Sequence, residues 1–194
     1  MQLAKLLTSV EYKVLQGSLE RDVKDIAYDS RKVVPDGMFV AIEGTVQDGH
    51  AYIASAVEAG AGVIVVEKES VVEKEGVTVL LVKNGREALS LMSAAYFDYP
   101  AEKMITVGIT GTKGKSTVEH MVRDIIEKSG KKCGIIGTVG AFMNGKTIVT
   151  EHTTPESYEL QKLFAMMVKE GCEYMVMEVS SQGIKMDRVA GIEF

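Results

Sequence analysis

Ile105-Thr106-Val107-Gly108-Ile109-Thr110-Gly111-Thr112-Lys113-Gly114-Lys115-Ser116-Thr117 is the stretch whose reading decides the fold. Its opening residues are mostly apolar and β-branched, the composition of a short buried strand. The chain then turns through glycines, reaches Gly-Lys-Ser and enters a helical pattern. Val118, Met121, Val122, Ile125 and Ile126 recur at the i, i+3, i+4 spacing of one helix face, and Gly130 stands where a C-cap belongs. Strand, glycine loop, Lys-Ser and helix are the context that a phosphate-binding loop requires.

The physics of such a loop is simple. Glycine lets backbone N–H groups turn towards an anion without a Cβ in the way, and the helix N-terminus adds partial positive charge. Lys115 is placed to reach the β- and γ-phosphates of a nucleotide, and Ser116 to offer its hydroxyl to Mg²⁺. The loop departs from the general pattern, since Ile109 occupies the position of its first glycine. The competing reading is a glycine-rich turn that binds nothing.

The remaining composition narrows the class. The chain of 194 residues is 46% hydrophobic and 25% charged, ordinary for a globular protein with a sizeable core. A net charge of −5 offers no broad basic surface, so nucleic acid is not an expected partner; Lys113 and Lys115 make the loop locally basic. The two cysteines, Cys133 and Cys172, lie in no ligand-spaced cluster and fit a reducing compartment. The N-terminal residues do not read as a signal peptide, and no apolar run approaches a membrane span, so a cytoplasmic protein without membrane contact is expected.

Outward from the loop, strand-like and helix-like segments alternate. On the N-terminal side, residues 23–28, 38–42, 62–66 and 77–82 read as strands, and 50–59 and 86–97 as helices. Pro100 and a short polar piece mark a boundary, giving domains 1–102 and 103–194. On the C-terminal side, residues 133–139 read as a strand, and Asn144-Gly145 is a hairpin signal. Thr154 with Pro155 reads as a helix cap before the stripe Leu160, Leu163, Phe164, Met167 and Val168. Residues 174–179 form a buried strand that carries Glu178. Such alternation implies an α/β fold with a mostly parallel sheet and ligands at the carboxyl ends of its strands. Three groups fall there: the glycine loop, Thr153-Thr154, and Glu178 with Ser180-Ser181.

Glu178 ends an apolar strand, as does the carboxylate that holds Mg²⁺ in phosphate-loop proteins; the alternative is a solvent-facing acid. His50, His120 and His152 are widely separated and read mainly as surface or packing residues. The eleven methionines read as core filler.

Gly111-Thr112-Lys113-Gly114-Lys115-Ser116-Thr117, His152-Thr153-Thr154-Pro155, Met177-Glu178-Val179-Ser180-Ser181 and Arg188 together resemble the Mur ligases. Tyr28-Asp29-Ser30-Arg31 and Asp36-Gly37-Met38-Phe39-Val40-Ala41 resemble the uridine-binding domain of that family. The resemblance runs over essentially the whole chain. It implies a small N-terminal α/β UDP-binding domain followed by the first part of a P-loop central ATPase domain. It is closest to the member that adds the third amino acid, a diamino acid, to UDP-N-acetylmuramoyl-L-alanyl-D-glutamate in peptidoglycan synthesis.

The resemblance also implies roles. Tyr28, Ser30 and the Thr45-Val46-Gln47 loop would contact the uridine end of the UDP-sugar. Gly111, Thr112, Lys113, Gly114, Lys115, Ser116 and Thr117 would bind ATP, with Lys115 on the terminal phosphates. Ser116 and Glu178 would hold Mg²⁺, making Lys115 and Glu178 the catalytic pair. His152, Thr153, Thr154, Ser180 and Arg188 would hold the muramoyl-dipeptide. Gln182 stands where the family commonly has a histidine ligand of a second magnesium, and Met186 where some relatives have a polar substrate contact. Family members continue well beyond Phe194, so the chain reads as a fragment, not expected to ligate alone. Two other readings are a non-catalytic nucleotide or UDP-sugar binding module, and another ligase of the superfamily such as a folylpolyglutamate synthase. The second should lack the Tyr28-Asp29-Ser30-Arg31 domain.

Overall fold

A computed structural model describes residues 1–44, 47–70 and 72–194. The chain divides into two compact units, Met1–Tyr96 and Phe97–Phe194, each built on its own five-stranded sheet.

The first unit contains β1 (Tyr12–Gln16), β2 (Ile26–Ala27), β3 (Met38–Val40), β4 (Val63–Val66) and β5 (Thr78–Val82), in the spatial order β1-β5-β4-β3-β2. The strands from β2 to β5 pair parallel, and β1 closes one edge antiparallel. β3 and β4 are buried at every position, which explains their uninterrupted apolar runs: helices cover a parallel sheet on both faces. Phe39, Ile64, Val66, Val77 and Val79 pack with Ala56 and Val57 of α2 (Ile53–Glu58). α1 (Leu3–Leu6) and α3 (Gly85–Tyr96) pack together, and α3 buries Ala88, Leu89, Met92 and Ala95.

Two expectations shrink here. Only Ile26 and Ala27 of the segment 23–28 pair as strand. The helix expected over 50–59 begins as a 3₁₀ turn, Gly49–Tyr52, because the Asp48 side chain accepts the His50 N–H at 3.0 Å and tightens the first turn.

The second unit contains β6 (Ile105–Ile109), α4 (Lys115–Lys128), β7 (Cys133–Gly137), β8 (Gly140–Met143), β9 (Lys146–Ile148), α5 (Ser157–Lys169), β10 (Tyr174–Glu178) and α6 (Ser181–Lys185). Its sheet runs β6-β10-β7-β8-β9. The last strand in sequence is thus inserted between β6 and β7, parallel to both. Register sets Glu178 beside Ile109 and Met177 beside Ile136, so the carboxyl ends of the three strands are level. The β8–β9 hairpin turns at Asn144 and Gly145, whose φ values of 47° and 75° suit a type I′ turn.

α5 fills one side of this sheet with Leu160, Leu163, Phe164 and Met167, against Ile136, Met143, Met175 and Met177. α4 covers the other side through Val122 and Ile126, over Cys133, Ile135 and Val176. The five-residue stripe expected on α4 therefore splits. Val118, Met121 and Ile125 are 45%, 59% and 68% exposed, and the residue of this helix most fully enclosed is Glu119.

Candidate functional site

The loop between β6 and α4 turns on Gly111, with φ of 151°, and Gly114, with φ of 79°. A side chain would be strained at either. Gly114 is the residue just before α4, so the open N-terminus of a fourteen-residue helix begins at the loop. The Lys115 ammonium reaches back and donates to the Gly111 carbonyl at 3.0 Å. Thr112, Lys113 and Thr117 are exposed around it.

Ser116, one residue into the helix, donates its hydroxyl to Glu178 Oε1 at 2.7 Å. The Thr138 N–H donates to the same oxygen at 2.9 Å, and the Thr138 hydroxyl lies 3.4 Å from Oε2. Glu178 is only 1% exposed, so it is not the solvent-facing acid of the competing reading. It joins the ends of β10, β7 and the glycine loop.

Thr153 and Thr154 come to the same place. The Thr153 hydroxyl is 3.2 Å from that of Thr138. Thr154 is fully buried; its hydroxyl donates to the Glu178 carbonyl at 2.9 Å and accepts the Ser180 N–H at 3.0 Å. This changes the expectation for Thr154. α5 starts at Ser157 with Glu156 at its N-cap position, so Thr154 lies too early to cap it, and the Thr154 hydroxyl oxygen accepts the Ser180 N–H instead of a helix N–H. Ser180 in turn caps α6, its hydroxyl oxygen accepting the Gly183 N–H at 3.0 Å.

Arg188 is buried behind the threonines. It donates to the Thr154 carbonyl at 2.9 Å and to Glu156 Oε1 at 2.6 Å. His152 and Gln182 are exposed.

The remaining expected residues lie in the first unit. Asp29 accepts the Arg31 N–H and, through both carboxylate oxygens, its guanidinium at 3.0 and 2.7 Å. That pairing holds the Asp29 carboxyl below its ordinary range and opens the 3₁₀ turn that starts at Ser30. The Lys32 ammonium lies 5.9 Å from the centre of the Tyr28 ring. The Gln47 side-chain oxygen accepts from Tyr52 at 3.2 Å, while Thr45 and Val46 lie outside the described residues.

Two residues at the site were missed by the sequence reading: Thr138 and Glu119. Positions 119, 122 and 126 share one helix face, so the spacing that turns Val122 and Ile126 to the sheet turns Glu119 there as well. A Cβ built on Gly137 would stand 2.5 Å from Glu178 Oε1 and 2.7 and 2.9 Å from the two Glu119 oxygens. The two carboxylates thus converge over a glycine that leaves them room. Burial, and then repulsion by Glu178, pushes the Glu119 carboxyl up to about 7.

A strand, a glycine loop ending in Gly-Lys-Ser, a helix and a strand-end acid bonded to that serine define the phosphate-loop class of α/β proteins. The family is found by comparison. Residues 22–97 match the model of the Mur ligase family catalytic domain, and residues 109–194 that of the Mur ligase middle domain. The whole chain is 43% identical to the UDP-N-acetylmuramoyl-L-alanyl-D-glutamate--2,6-diaminopimelate ligase of Clostridium perfringens, of which it covers 40%. A solved structure of a ligase of that name superposes with a TM-score of 0.79 at 21% identity, over 98% of this chain and 38% of its own. The ligase MurF of Thermotoga maritima, solved in complex with ADP, superposes with a TM-score of 0.51 at 22% identity, over 82% of this chain and 32% of its own. The chain belongs to the Mur ligase family. It spans about 40% of the length of the curated relatives it matches. Among the described residues no helix is long and apolar enough to cross a membrane.

Proposed function

We propose that this chain carries the UDP-sugar-binding part, residues 1–102, and the first part of the ATP-binding domain, residues 103–194, of a cytoplasmic amide-bond ligase. The reaction is ATP-dependent addition of a diamino acid to UDP-N-acetylmuramoyl-L-alanyl-D-glutamate. The observation that carries the reading is the 2.7 Å hydrogen bond from Ser116 to Glu178, which ties the glycine loop to a buried strand-end acid. The names of the relatives make 2,6-diaminopimelate the amino acid to test first.

Each residue then has a task. Tyr28, Ser30 and the loop 45–47 take the uridine end. Gly111 to Thr117 wrap the ATP phosphates, and Lys115 exchanges its bond to the Gly111 carbonyl for phosphate oxygens. Ser116 and Glu178 supply hard oxygen donors at the helix N-terminus, the donor chemistry that Mg²⁺ prefers, so the residues fit the ion. When bound there, Mg²⁺ offsets the charge that builds on the phosphate oxygens. His152, Thr153 and Ser180 face the dipeptide. Thr154 and Arg188 act as positioning residues, since the Thr154 hydroxyl and both terminal nitrogens of Arg188 are engaged within the protein.

The chemistry follows from the weakness of a carboxylate as an electrophile. The D-glutamyl carboxylate oxygen attacks the γ-phosphorus and ADP leaves; the amine then attacks the acyl carbon, and phosphate leaves with the electron pair of the broken C–O bond. Lys115 stabilises the charge on the transferring group. The test is Lys115→Ala in the complete ligase. ADP release should fall by 10³-fold or so, typical for losing a preorganised donor to developing charge, with UDP-sugar binding unchanged. Normal ADP release would remove the role given to Lys115.

A further inference from the structure

Glu119 has no task in the reaction described above, yet it is 1% exposed and its Oε1 has no hydrogen-bond partner. A charged carboxylate in such a place is costly unless something compensates it. The cations nearest in sequence are engaged elsewhere. Arg123 pairs with Asp124 at 2.7 Å, and His120 Nδ1, 3.7 Å from Glu119 Oε2, is held 2.8 Å from the Ser116 carbonyl. What Glu119 does face is another acid. Its two oxygens and Glu178 Oε1 all lie within 3 Å of the Cβ position that Gly137 leaves empty, and Ser116 is bonded to that same Glu178 oxygen.

Four oxygens from two carboxylates, joined by the hydroxyls of Ser116 and Thr138, make a hard-donor cluster at the start of α4. Divalent cations such as Mg²⁺ and Mn²⁺ are the partners that such a cluster suits. We propose that Glu119 is a second acidic ligand of the divalent cation, completing with Glu178 a two-carboxylate seat behind the glycine loop. The proposal rests on the cation site assigned to Ser116 and Glu178. The absence of a Cβ at Gly137 is what lets both carboxylates approach.

The test is Mn²⁺ alone, without nucleotide, titrated into the full chain and into Glu119→Gln, Glu119→Thr and Glu178→Gln, with bound metal read by electron paramagnetic resonance. Thermal unfolding in EDTA controls for folding; removing one of two facing acids should leave the metal-free protein as stable as before, or more so. The expected result is tenfold or greater weakening of Mn²⁺ binding in both Glu119 variants and in Glu178→Gln. Wild-type affinity in the Glu119 variants, with binding lost in Glu178→Gln, would overturn the role of Glu119 and leave the Ser116–Glu178 site standing. Wild-type affinity in Glu178→Gln, or no binding by the wild type, would overturn both.

Discussion

Replacing Thr154 by valine keeps the shape of the side chain and removes one hydroxyl. That hydroxyl donates to the Glu178 carbonyl at 2.9 Å and accepts the Ser180 N–H at 3.0 Å, in a residue with no exposure to water. Each group left without a partner in such a place costs about 1–3 kcal/mol, so two cost about 2–6 kcal/mol. The added methyl returns about 0.8 kcal/mol. The net expectation is a loss of about 1–5 kcal/mol, a large part of the stability of a typical domain. Urea unfolding followed by circular dichroism measures it. With a slope of about 2 kcal/mol per molar urea, the midpoint should fall by roughly 0.5–2.5 M at unchanged slope. Thr154→Ser keeps the hydroxyl and should lose far less. A Thr154→Val midpoint within experimental error of wild type would refute the claim that this hydroxyl ties the 153–155 loop to β10.

Gly137→Ala would push a methyl between the Glu119 and Glu178 carboxylates, where the nearest oxygen is 2.5 Å away. Overpacking at this level should cost about 1–3 kcal/mol by the same urea assay, with weaker Mn²⁺ binding because Glu178 must shift from Ser116. Asp48 is held down to about 2, first by the His50 backbone N–H and then by its ring. A carboxyl depressed in the folded state contributes stability above its ordinary value of 3.8, and loses it as pH falls through about 2. Asp48→Asn should therefore lower Tm at pH 6, and calorimetry should find the gap to wild type closing between pH 4 and pH 2. A gap independent of pH would contradict that account of Asp48.

Much of the second unit was legible in the sequence, because its signals are local and strong. The β6 run, the Gly-Lys-Ser loop, the Asn144-Gly145 turn and the α5 stripe each set a short segment almost independently of its surroundings. The β6 run sets only the strand, however, and not the burial its composition suggests, since β6 lies at the sheet edge with Ile105 56% exposed. Glu178 could be placed at a strand end, but its burial could not be read, since burial comes from Ser116 and Thr138, distant in sequence. Thr154 shows the opposite failure. A Thr-Pro pair is a good local cap signal, yet α5 begins two residues later than it implies, and the Thr154 oxygen accepts the distant Ser180 N–H instead. Helical spacing placed Val118, Met121 and Ile125 with Val122 and Ile126, but a stripe that wide spans more surface than the sheet covers. Because the sheet takes the narrower 119, 122 and 126 face, an acid went inside where hydropathy expects an exposed one. β1 escaped notice because an edge strand with exposed Lys13 and Val14 has no clean alternation to read.

The central claim is that one chain brings together a UDP-sugar site and an ATP site of the ligase. Thermal unfolding of this chain with UDP-N-acetylmuramoyl-L-alanyl-D-glutamate, and separately with ATP–Mg²⁺, tests it most directly, with Ser30→Ala as control. Each ligand at a hundred times its Kd should stabilise the folded state by about 2.7 kcal/mol. The account predicts a rise in Tm with both, and a smaller rise with the UDP-sugar in Ser30→Ala. A rise with ATP–Mg²⁺ and none with the UDP-sugar would contradict it, leaving a phosphate-loop protein whose first unit serves some other ligand.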